Sequence, residues 1–248
     1  MWDKLPMELR HEIIGMANTM HSISLQDRFD IDELGNFETF KAIIVGNDPI
    51  EKARMTSEIL YHVAHIHRAC VFSDGDTLSK HIPDFFISDF SQVENRLTTI
   101  YENQKKHQKS LVIILEMNSN NINLLKSDIV KTIYQFGHYF KMSIVLSVDK
   151  VSYLNTNIFS STDYVFCLKH INLNELRLLR TYLDYGIFEN DSQFVKKLRS
   201  YTEEYGCMVW NNKIWTPRKD VAFWYESKPR QFRFGSDEFW KYGLNNCK

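Results

Sequence analysis

Short apolar runs alternate along the chain with longer segments that have helical spacing. Each run is bounded by polar or turn-forming residues, as expected for strands buried in a sheet. The predicted strands are residues 40–46, 69–72, 84–87, 111–117, 143–148 and 163–168. The predicted helices are residues 51–66, 91–107, 122–140 and 172–203. This pattern predicts an α/β fold in which crossover helices flank a mostly parallel sheet.

Both ends of the chain depart from this alternation. Residues 5–18 have amphipathic spacing and resemble the opening helix of an F-box, so this helix either binds a partner or packs on its own domain. After about residue 205, aromatic residues are interleaved with lysines and arginines, a pattern that can stack on single-stranded nucleic acid. We favour a terminal hairpin on the sheet followed by a docking tail. The expected division is a helical extension at 1–36, an α/β domain at 37–225 and an aromatic-basic tail at 226–248.

Composition narrows the classes of protein. The chain has 248 residues, 44% of them hydrophobic, which is enough for a substantial core. Its 30 basic and 31 acidic residues give a formal charge of −1, so any contact with nucleic acid would need a local patch such as the tail. Neither a signal-peptide pattern nor a membrane-spanning run is present, and the cysteines form no disulfide framework. We therefore expect a protein of a reducing, intracellular compartment with no membrane insertion.

The junction after the first predicted strand has the frame of a nucleotide-binding P-loop. Such a loop has the form G-x-x-x-x-G-K-[ST] between a strand and a helix, where glycines let backbone N–H groups reach the phosphates and the lysine neutralises them. Gly46 and Lys52 stand at the required spacing. By itself, this junction is a weak signal that favours an ordinary turn between a strand and a helix.

Four residues within the frame oppose nucleotide binding. Glu51 stands at the second glycine position, and Ala53 replaces the hydroxyl that would hold Mg²⁺. Asp48 adds a second carboxylate, and Pro49 removes a backbone donor. Repulsion between a close carboxylate and a phosphate costs on the order of 1 kcal/mol or more even when partly solvated. We expect Mg²⁺-dependent ATP binding to be lost, and no cofactor to be bound.

The predicted strand at 111–117 has the apolar pattern of a Walker B segment. In that segment an aspartate orients the Mg²⁺ shell, and a following acid polarises the attacking water. Leu115 is aligned with the aspartate, whereas Glu116 is aligned with the following acid. We therefore single out Glu116 as a vestigial catalytic residue, and Gly46 with Lys52 as vestigial cofactor-binding residues.

The order of these segments over residues 40 to 225 resembles the FtsK/HerA-type genome-packaging ATPases of large double-stranded DNA viruses. Beyond the two Walker-like segments, the resemblance rests on Tyr61-His62, Val71-Phe72-Ser73, Ile82-Pro83, the run Asp128–Ser147 and the run Ser161–Phe166. It implies a P-loop NTPase fold of the RecA/FtsK-HerA type. In active members of this family it also implies ATP and Mg²⁺ as cofactors and DNA as the substrate that is moved.

The departures from the family fall on functional positions. Where the family has Asn-Gly-Arg-His-Tyr, the chain has Gln135–Tyr139, so Gly137 replaces an arginine that would stabilise charge on the transferred phosphate. Where the family ends the next strand on a sensor glutamine, the chain has Ser147-Val148-Asp149. The apolar framework is retained while groups needed for hydrolysis are replaced.

The leading hypothesis is a catalytically inactive relative of the packaging ATPases in a large DNA virus. It would act as a structural or protein-binding component of the virion or the assembly machinery, in the virion or the host cytoplasm. Its expected partners are viral capsid or packaging proteins, with homo-oligomerisation open. The alternatives are a weakly active DNA-translocating ATPase whose neighbour supplies the arginine, and an F-box-like adaptor. A metal site at His62, His65, His67 and Cys70 is not expected, because no spaced partner pair completes it.

Overall fold

The computed structural model describes residues 28–63, 68–169, 172–183, 187–213 and 222–246. The F-box-like helix at 5–18, together with His65 and His67, lies outside the described residues. The proposed boundaries between the extension, the domain and the tail stay a prediction.

Eight strands form one sheet within the described residues. They are β1 Lys41–Val45, β2 Arg68–Phe72, β3 Ile87–Ser88, β4 Leu111–Met117, β5 Met142–Val148, β6 Tyr164–Cys167, β7 Gly206–Asn211 and β8 Ala222–Glu226. Their order across the sheet is β3-β2-β4-β5-β1-β6-β7-β8. All pairings from β3 to β6 are parallel, and only those of β7 with β6 and with β8 are antiparallel. The mostly parallel α/β fold predicted from the apolar runs is confirmed.

Helices cover both faces of this sheet. Those described are α1 Pro49–His62, α2 Val93–His107, α3 Asp128–Phe136, α4 Thr156–Ser160, α5 Leu173–Leu183, α6 Asp191–Tyr201 and α7 Asp237–Asn246. Side chains of α1 pack on one face together with the segment around Phe29 and Leu34, and side chains of α2, α3, α5 and α6 pack on the other. The strands therefore have few solvent-exposed positions, which explains why they appear in the sequence as continuous apolar runs.

Three predicted elements differ from the structure. The strand predicted at 84–87 is a short 3-10 helix, Asp84–Phe86, followed by the two-residue strand β3 at the sheet edge. The helix predicted at 122–140 is interrupted because the Ser127 side chain accepts a hydrogen bond from the Val130 N–H and caps α3. The helix predicted at 172–203 is two helices, since Asn190 caps α6 in the same way. The apolar spacing in the sequence continues through both capping residues, so this spacing does not indicate the breaks.

The C-terminal segment forms the hairpin that was favoured from the sequence. Strands β7 and β8 pair antiparallel, and the segment after them returns to the domain. There Phe234 and Phe239 are buried, and the Phe234 N–H donates to the carbonyl of His81 at 2.9 Å. Burial of two large aromatic side chains anchors this segment to the body of the protein.

A buried carboxylate ties the hairpin and the following segment to α1. Glu58 is fully buried and accepts two hydrogen bonds from the Arg230 guanidinium, each 3.0 Å long, and one from the Tyr225 hydroxyl. Burial by itself would raise the pKa of Glu58, yet the hydrogen bonds from His62, Arg230 and Tyr225 lower it to about 2. The carboxylate is therefore ionised, and it depends on these three partners.

Replacement of Arg230 tests this dependence. In Arg230→Met, Glu58 stays buried but loses its bidentate cation, so we expect the free energy of unfolding to fall by about 3 kcal/mol in urea denaturation. The matched control is Arg233→Met, which removes an exposed arginine that lies 5.0 Å from the centre of the Trp240 ring. That control substitution should lower the free energy of unfolding by about 0.5–1 kcal/mol. Equal losses in the two variants would contradict this role of Glu58.

His62 makes the same cluster sensitive to pH. Its Nδ1 lies 2.5 Å from Asp32 Oδ1 and its Nε2 lies 3.3 Å from Glu58 Oε1. Only the imidazolium can donate at both nitrogens. Burial lowers the pKa of His62, but the hydrogen bonds to Glu58 and Asp32 outweigh it, so the pKa is raised above 6.5.

The sign of the resulting stability effect follows from this raised pKa. The contribution of His62 to the free energy of unfolding is fully present below pH 6.5 and is lost as the pH rises through its folded-state pKa. We expect the difference in unfolding free energy between the wild type and His62→Gln to be larger at about pH 6 than at about pH 9. A difference that does not change between these conditions would show that His62 is not the titrating group.

Candidate functional site

A small polar cleft lies where the carboxyl ends of β2, β4 and β5 meet the amino end of α1. Its volume is about 290 Å³. This is the edge of a parallel sheet at which α/β proteins bind ligands. The side chains that matter for its chemistry are those of Lys52, Ser73, Asp74, Glu116, Ser147 and Asp149.

The first turn of α1 has no free backbone donor for a phosphate. Pro49 has no N–H, and the Ile50 and Glu51 N–H groups donate to Asp48 Oδ1 at 2.7 and 3.4 Å. The Lys52 N–H donates to the Asp48 carbonyl at 3.1 Å. The amino end of a helix attracts anions through such free N–H groups and the helix dipole. Here the carboxylate of Asp48 occupies that position.

The loop before α1 is too short to wrap around a phosphate. Only residues 46–48 separate the end of β1 from Pro49, and no residue from 46 to 52 has a positive φ. Lys52 is consequently the fourth residue of the helix. A P-loop surrounds the phosphate with several backbone N–H groups, which requires a longer, glycine-rich segment.

The ammonium group of Lys52 is neutralised within the protein. Lys52 is 8% exposed, and its Nζ donates to Asp149 Oδ1 in a short ion pair. Asp149 follows β5, where the family resemblance placed a sensor glutamine. A glutamine would leave the lysine charge available, whereas this aspartate cancels it.

Gly46 has a packing role at the end of β1. A Cβ atom at this position would lie 2.8 Å from Leu168 Cβ and 2.9 Å from Leu168 Cδ1. The Leu168 N–H also donates to the Val45 carbonyl at 2.8 Å, which holds the two backbones together. The close approach of β1 to the residue after β6 is sufficient to explain a glycine here.

Glu51 and Ala53 are not among the residues that line the cleft. Glu51 accepts a hydrogen bond from the backbone of Lys169; burial raises the pKa of Glu51, and Asp48 adds to this. Ala53 lies beside a separate groove between α1 and residues 229–232. At the start of α1, the residues that alter the phosphate-binding region directly are the capping residue Asp48 and Pro49, together with the shortened loop.

Glu116 is the acid that faces the cleft from β4. It accepts a hydrogen bond from the Ser73 hydroxyl, and burial raises its pKa while Lys52 opposes this effect. Leu115 belongs to the core cluster on the opposite face of the sheet. Because side chains alternate along a strand, an aspartate at 115 would point away from Lys52. The acid that faces the cleft is thus Glu116, which is aligned with the second acid of the Walker B segment, whereas position 115, aligned with the aspartate, faces the core.

Gly137 lies at the opposite edge of the sheet. It begins a 3-10 helix, Gly137–Phe140, that leads into the first residue of β5, whereas the cleft lies beyond the last. Seven residues of strand separate the two edges by roughly 20 Å. A side chain at position 137 would lie too far away to act in the cleft of its own chain.

Cations of the C-terminal segment are paired with aromatic rings of the protein itself. Arg230 lies 4.4 Å from the ring centre of Tyr61, and Arg233 lies 5.0 Å from that of Trp240. The ring of Phe232 stacks on His81 at 4.5 Å. Stacking on single-stranded bases would have to displace these contacts. Nucleic-acid binding by this segment stays a prediction.

On metal binding and membrane insertion, the structure gives information about the described residues alone. Among them, no group of three or more His, Cys, Asp or Glu side chains is arranged to hold a metal ion. No described helix combines the length and the apolar character needed to cross a membrane.

The sequence did not reveal the partners of the cleft residues. Asp149, Ser73 and Asp74 each follow a predicted strand, and the carboxyl ends of parallel strands share one edge of the sheet. That rule could have grouped them. The pairing of Lys52 with Asp149 and of Glu116 with Ser73 required the order of the strands, which the sequence did not supply.

Alanine substitution at two glycines tests the packing role of Gly46. Gly46→Ala forces a contact of 2.8 Å with Leu168 Cβ, so we expect a loss of about 1–3 kcal/mol of unfolding free energy. The control Gly75→Ala has Ser73 Oγ at 3.7 Å as its nearest neighbour and should change stability by about 0.5 kcal/mol or less. Leu168→Ala removes the Cδ1 and Cγ contacts but keeps Cβ, so the loss caused by Gly46→Ala should be smaller in a Leu168→Ala background than in the wild type. An equal loss in the two backgrounds would argue against the packing explanation.

Comparison of sequences shows similarity between this chain and proteins of large DNA viruses. No protein family model matches the chain. It is 25% identical over 208 residues to an uncharacterized protein of Acanthamoeba polyphaga mimivirus, which covers 76% of the chain and 72% of that protein. It is 21% identical over 220 residues to an uncharacterized protein of Frog virus 3 (isolate Goorha), which covers 83% of the chain and 68% of that protein.

Solved structures define the fold. The chain is similar to the genome packaging NTPase B204 of Sulfolobus turreted icosahedral virus 2 in complex with ATP-gammaS, with a TM-score of 0.58 and 14% identity over 77% of the chain and 98% of B204. The same NTPase in complex with sulfate gives a TM-score of 0.59 over 79% of the chain. The chain thus has the P-loop NTPase fold of the viral genome-packaging type, as its resemblance to the FtsK/HerA-type ATPases implied, and is similar in sequence to proteins of large DNA viruses.

Proposed function

We propose that this protein is a packaging-NTPase-like component of a large DNA virus that does not hydrolyse ATP and acts by binding other proteins. The observation that carries the proposal is the internal occupation of the phosphate-binding region. Asp48 binds the amino end of α1, and Asp149 binds the lysine. Both groups that would hold a nucleotide are already bound to carboxylates of the same chain.

The free-energy cost of displacing the two carboxylates gives the expected loss of nucleotide affinity. A hydrogen bond to a charged group contributes about 1.5–3 kcal/mol, so displacing both carboxylates would cost about 3–6 kcal/mol. A cost of that size weakens binding by roughly 10² to 10⁴. The cleft also contains Asp74 and Glu116, whose negative charge would further oppose a triphosphate.

A protein-binding role is supported by exposed aromatic side chains at the amino edge of the sheet. Phe136 is 48% exposed and Tyr139 is 67% exposed, and they flank Gly137. Large apolar side chains grouped on a surface are characteristic of protein interfaces. We propose capsid or packaging proteins as partners and the virion or its assembly site as the location, in keeping with the viral sequence relatives.

One observation favours a second candidate, a weakly active ATPase. Lys52 and Glu116 both face the cleft, as a lysine and an acid do in an active site of this fold. In this version a neighbouring subunit would have to supply the arginine, and Asp149 would have to release Lys52. The internal ion pair makes this the weaker candidate.

Calorimetric titration with ATP and Mg²⁺ separates the two candidates. We expect no binding by the wild-type protein up to millimolar nucleotide. The double variant Asp48→Gly, Asp149→Gln frees the helix end and the lysine, so it should bind measurably. The first change removes the side chain of the helix cap, but glycine is tolerated at this position, so it should cost only about a few tenths of a kcal/mol of stability, which circular dichroism will monitor.

The control variant replaces an exposed aspartate that does not pair with the lysine in the cleft. Asp128→Asn, at the start of α3, should leave nucleotide binding absent. Mg²⁺-dependent binding and hydrolysis by the wild type, both abolished in Lys52→Ala, would refute the proposal and support the ATPase.

A further inference from the structure

A buried hydroxyl without a partner faces the cleft. Ser147 is fully buried, and its Oγ has no hydrogen-bond partner among the described residues. It lines the cleft on the same side of the sheet as its register neighbour Glu116. Buried polar atoms in proteins are nearly always paired, so an unpaired one at the wall of a cleft indicates a position for a ligand atom.

The charge of the cleft indicates which ligands suit that position. Lys52 and Asp149 neutralise each other, which leaves the carboxylates of Glu116 and Asp74 in excess. Each of these two already holds one donor, the Ser73 hydroxyl on Glu116 and the Asn118 side-chain amide on Asp74 at 2.8 Å. A carboxylate has room for several donors, so both can accept further hydrogen bonds. The cleft therefore favours a cation that carries several N–H groups.

We propose that the cleft receives the guanidinium group of an arginine from a partner protein. This inference rests on the proposed function and names the chemistry by which that protein binding occurs. A guanidinium has five donors in a fixed plane, which suits the acceptors that line the cleft: Glu116, Asp74 and the Ser147 hydroxyl. One of its planar faces can lie against Pro49, which also lines the cleft.

Other ligand classes fit less well. A divalent cation needs several carboxylates around one point, and among the described residues no such group of three is present. A phosphate would be repelled by the excess carboxylates, and the helix end that could attract it is already capped. A volume of about 290 Å³ is sufficient for one long side chain.

The probe is N-acetyl-arginine amide, added to the full ¹⁵N-labelled chain and followed by NMR. Its control is N-acetyl-citrulline amide, which has nearly the same shape without the charge. We expect saturable shifts at residues 73–75, 116–118 and 147–149 with arginine, and at least tenfold weaker binding of citrulline. Burial raises the pKa of Glu116 above 4.5, so arginine binding should weaken as the pH falls through that raised value.

Variants locate the binding to this cleft. Glu116→Gln should weaken arginine binding about tenfold, and Ser147→Ala about threefold, the latter without loss of a hydrogen bond in the free protein. The matched control Glu102→Gln, on the exposed surface of α2, should bind like the wild type. Spectra of each variant will show whether it is folded.

The inference is overturned if citrulline binds as strongly as arginine, if the shifts are confined to residues outside the cleft, or if Mg²⁺ alone produces the same shifts. Binding of neither ATP nor arginine would refute this inference and leave the proposed function standing. Binding of ATP with Mg²⁺ at the cleft would refute the proposed function as well.

Discussion

The ion pair between Lys52 and Asp149 is the interaction that most determines the charge of the cleft and the ligands that the cleft can bind. The fold brings the amino end of α1, with its buried lysine, to the carboxyl ends of β4 and β5. Such a positive region requires an anion. In an active P-loop protein that anion is a nucleotide phosphate; here the requirement is met by Asp149 and Asp48, which belong to the chain itself. The protein can therefore keep the architecture of a nucleotide-binding domain without a nucleotide to stabilise it.

The remaining features of the fold are consistent with a scaffold that is stable without ligand. Strand β1 lies between β5 and β6 in the middle of the sheet, and α1 covers it. On the far side of α1, Glu58 binds Arg230 and so fastens the segment after β8. Besides the contacts of His62, helix α1 thus carries an ionic contact at the cleft and another at the C-terminal segment. Both are at least partly buried, where the loss of either partner is costly.

The same arrangement changes which ligands the cleft prefers. Once Lys52 is neutralised, Glu116 and Asp74 dominate the local charge, and the site favours cations over phosphates. The unpaired hydroxyl of Ser147 lies at the wall of this cleft. A site inherited with a nucleotide-binding fold can in this way become a binding site for a basic side chain, since fold and function are separable.

The sequence by itself determined the class of fold, because apolar runs such as 111–117 and 143–148 can only be buried strands when helices alternate with them. It also predicted, from residue types at fixed spacing, that the P-loop frame lacks groups needed for Mg²⁺-dependent nucleotide binding. It did not show the helix breaks at Ser127 and Asn190, where a side-chain cap decides against continuous apolar spacing. The tertiary structure alone decided that Asp149 neutralises Lys52, that Glu116 and not residue 115 faces the cleft, that Glu51 and Ala53 lie outside it, and that Gly137 lies at the far edge. The physical reason is that these relations depend on strand order, on the face of each strand and on contacts between residues distant in the chain, none of which a local pattern encodes.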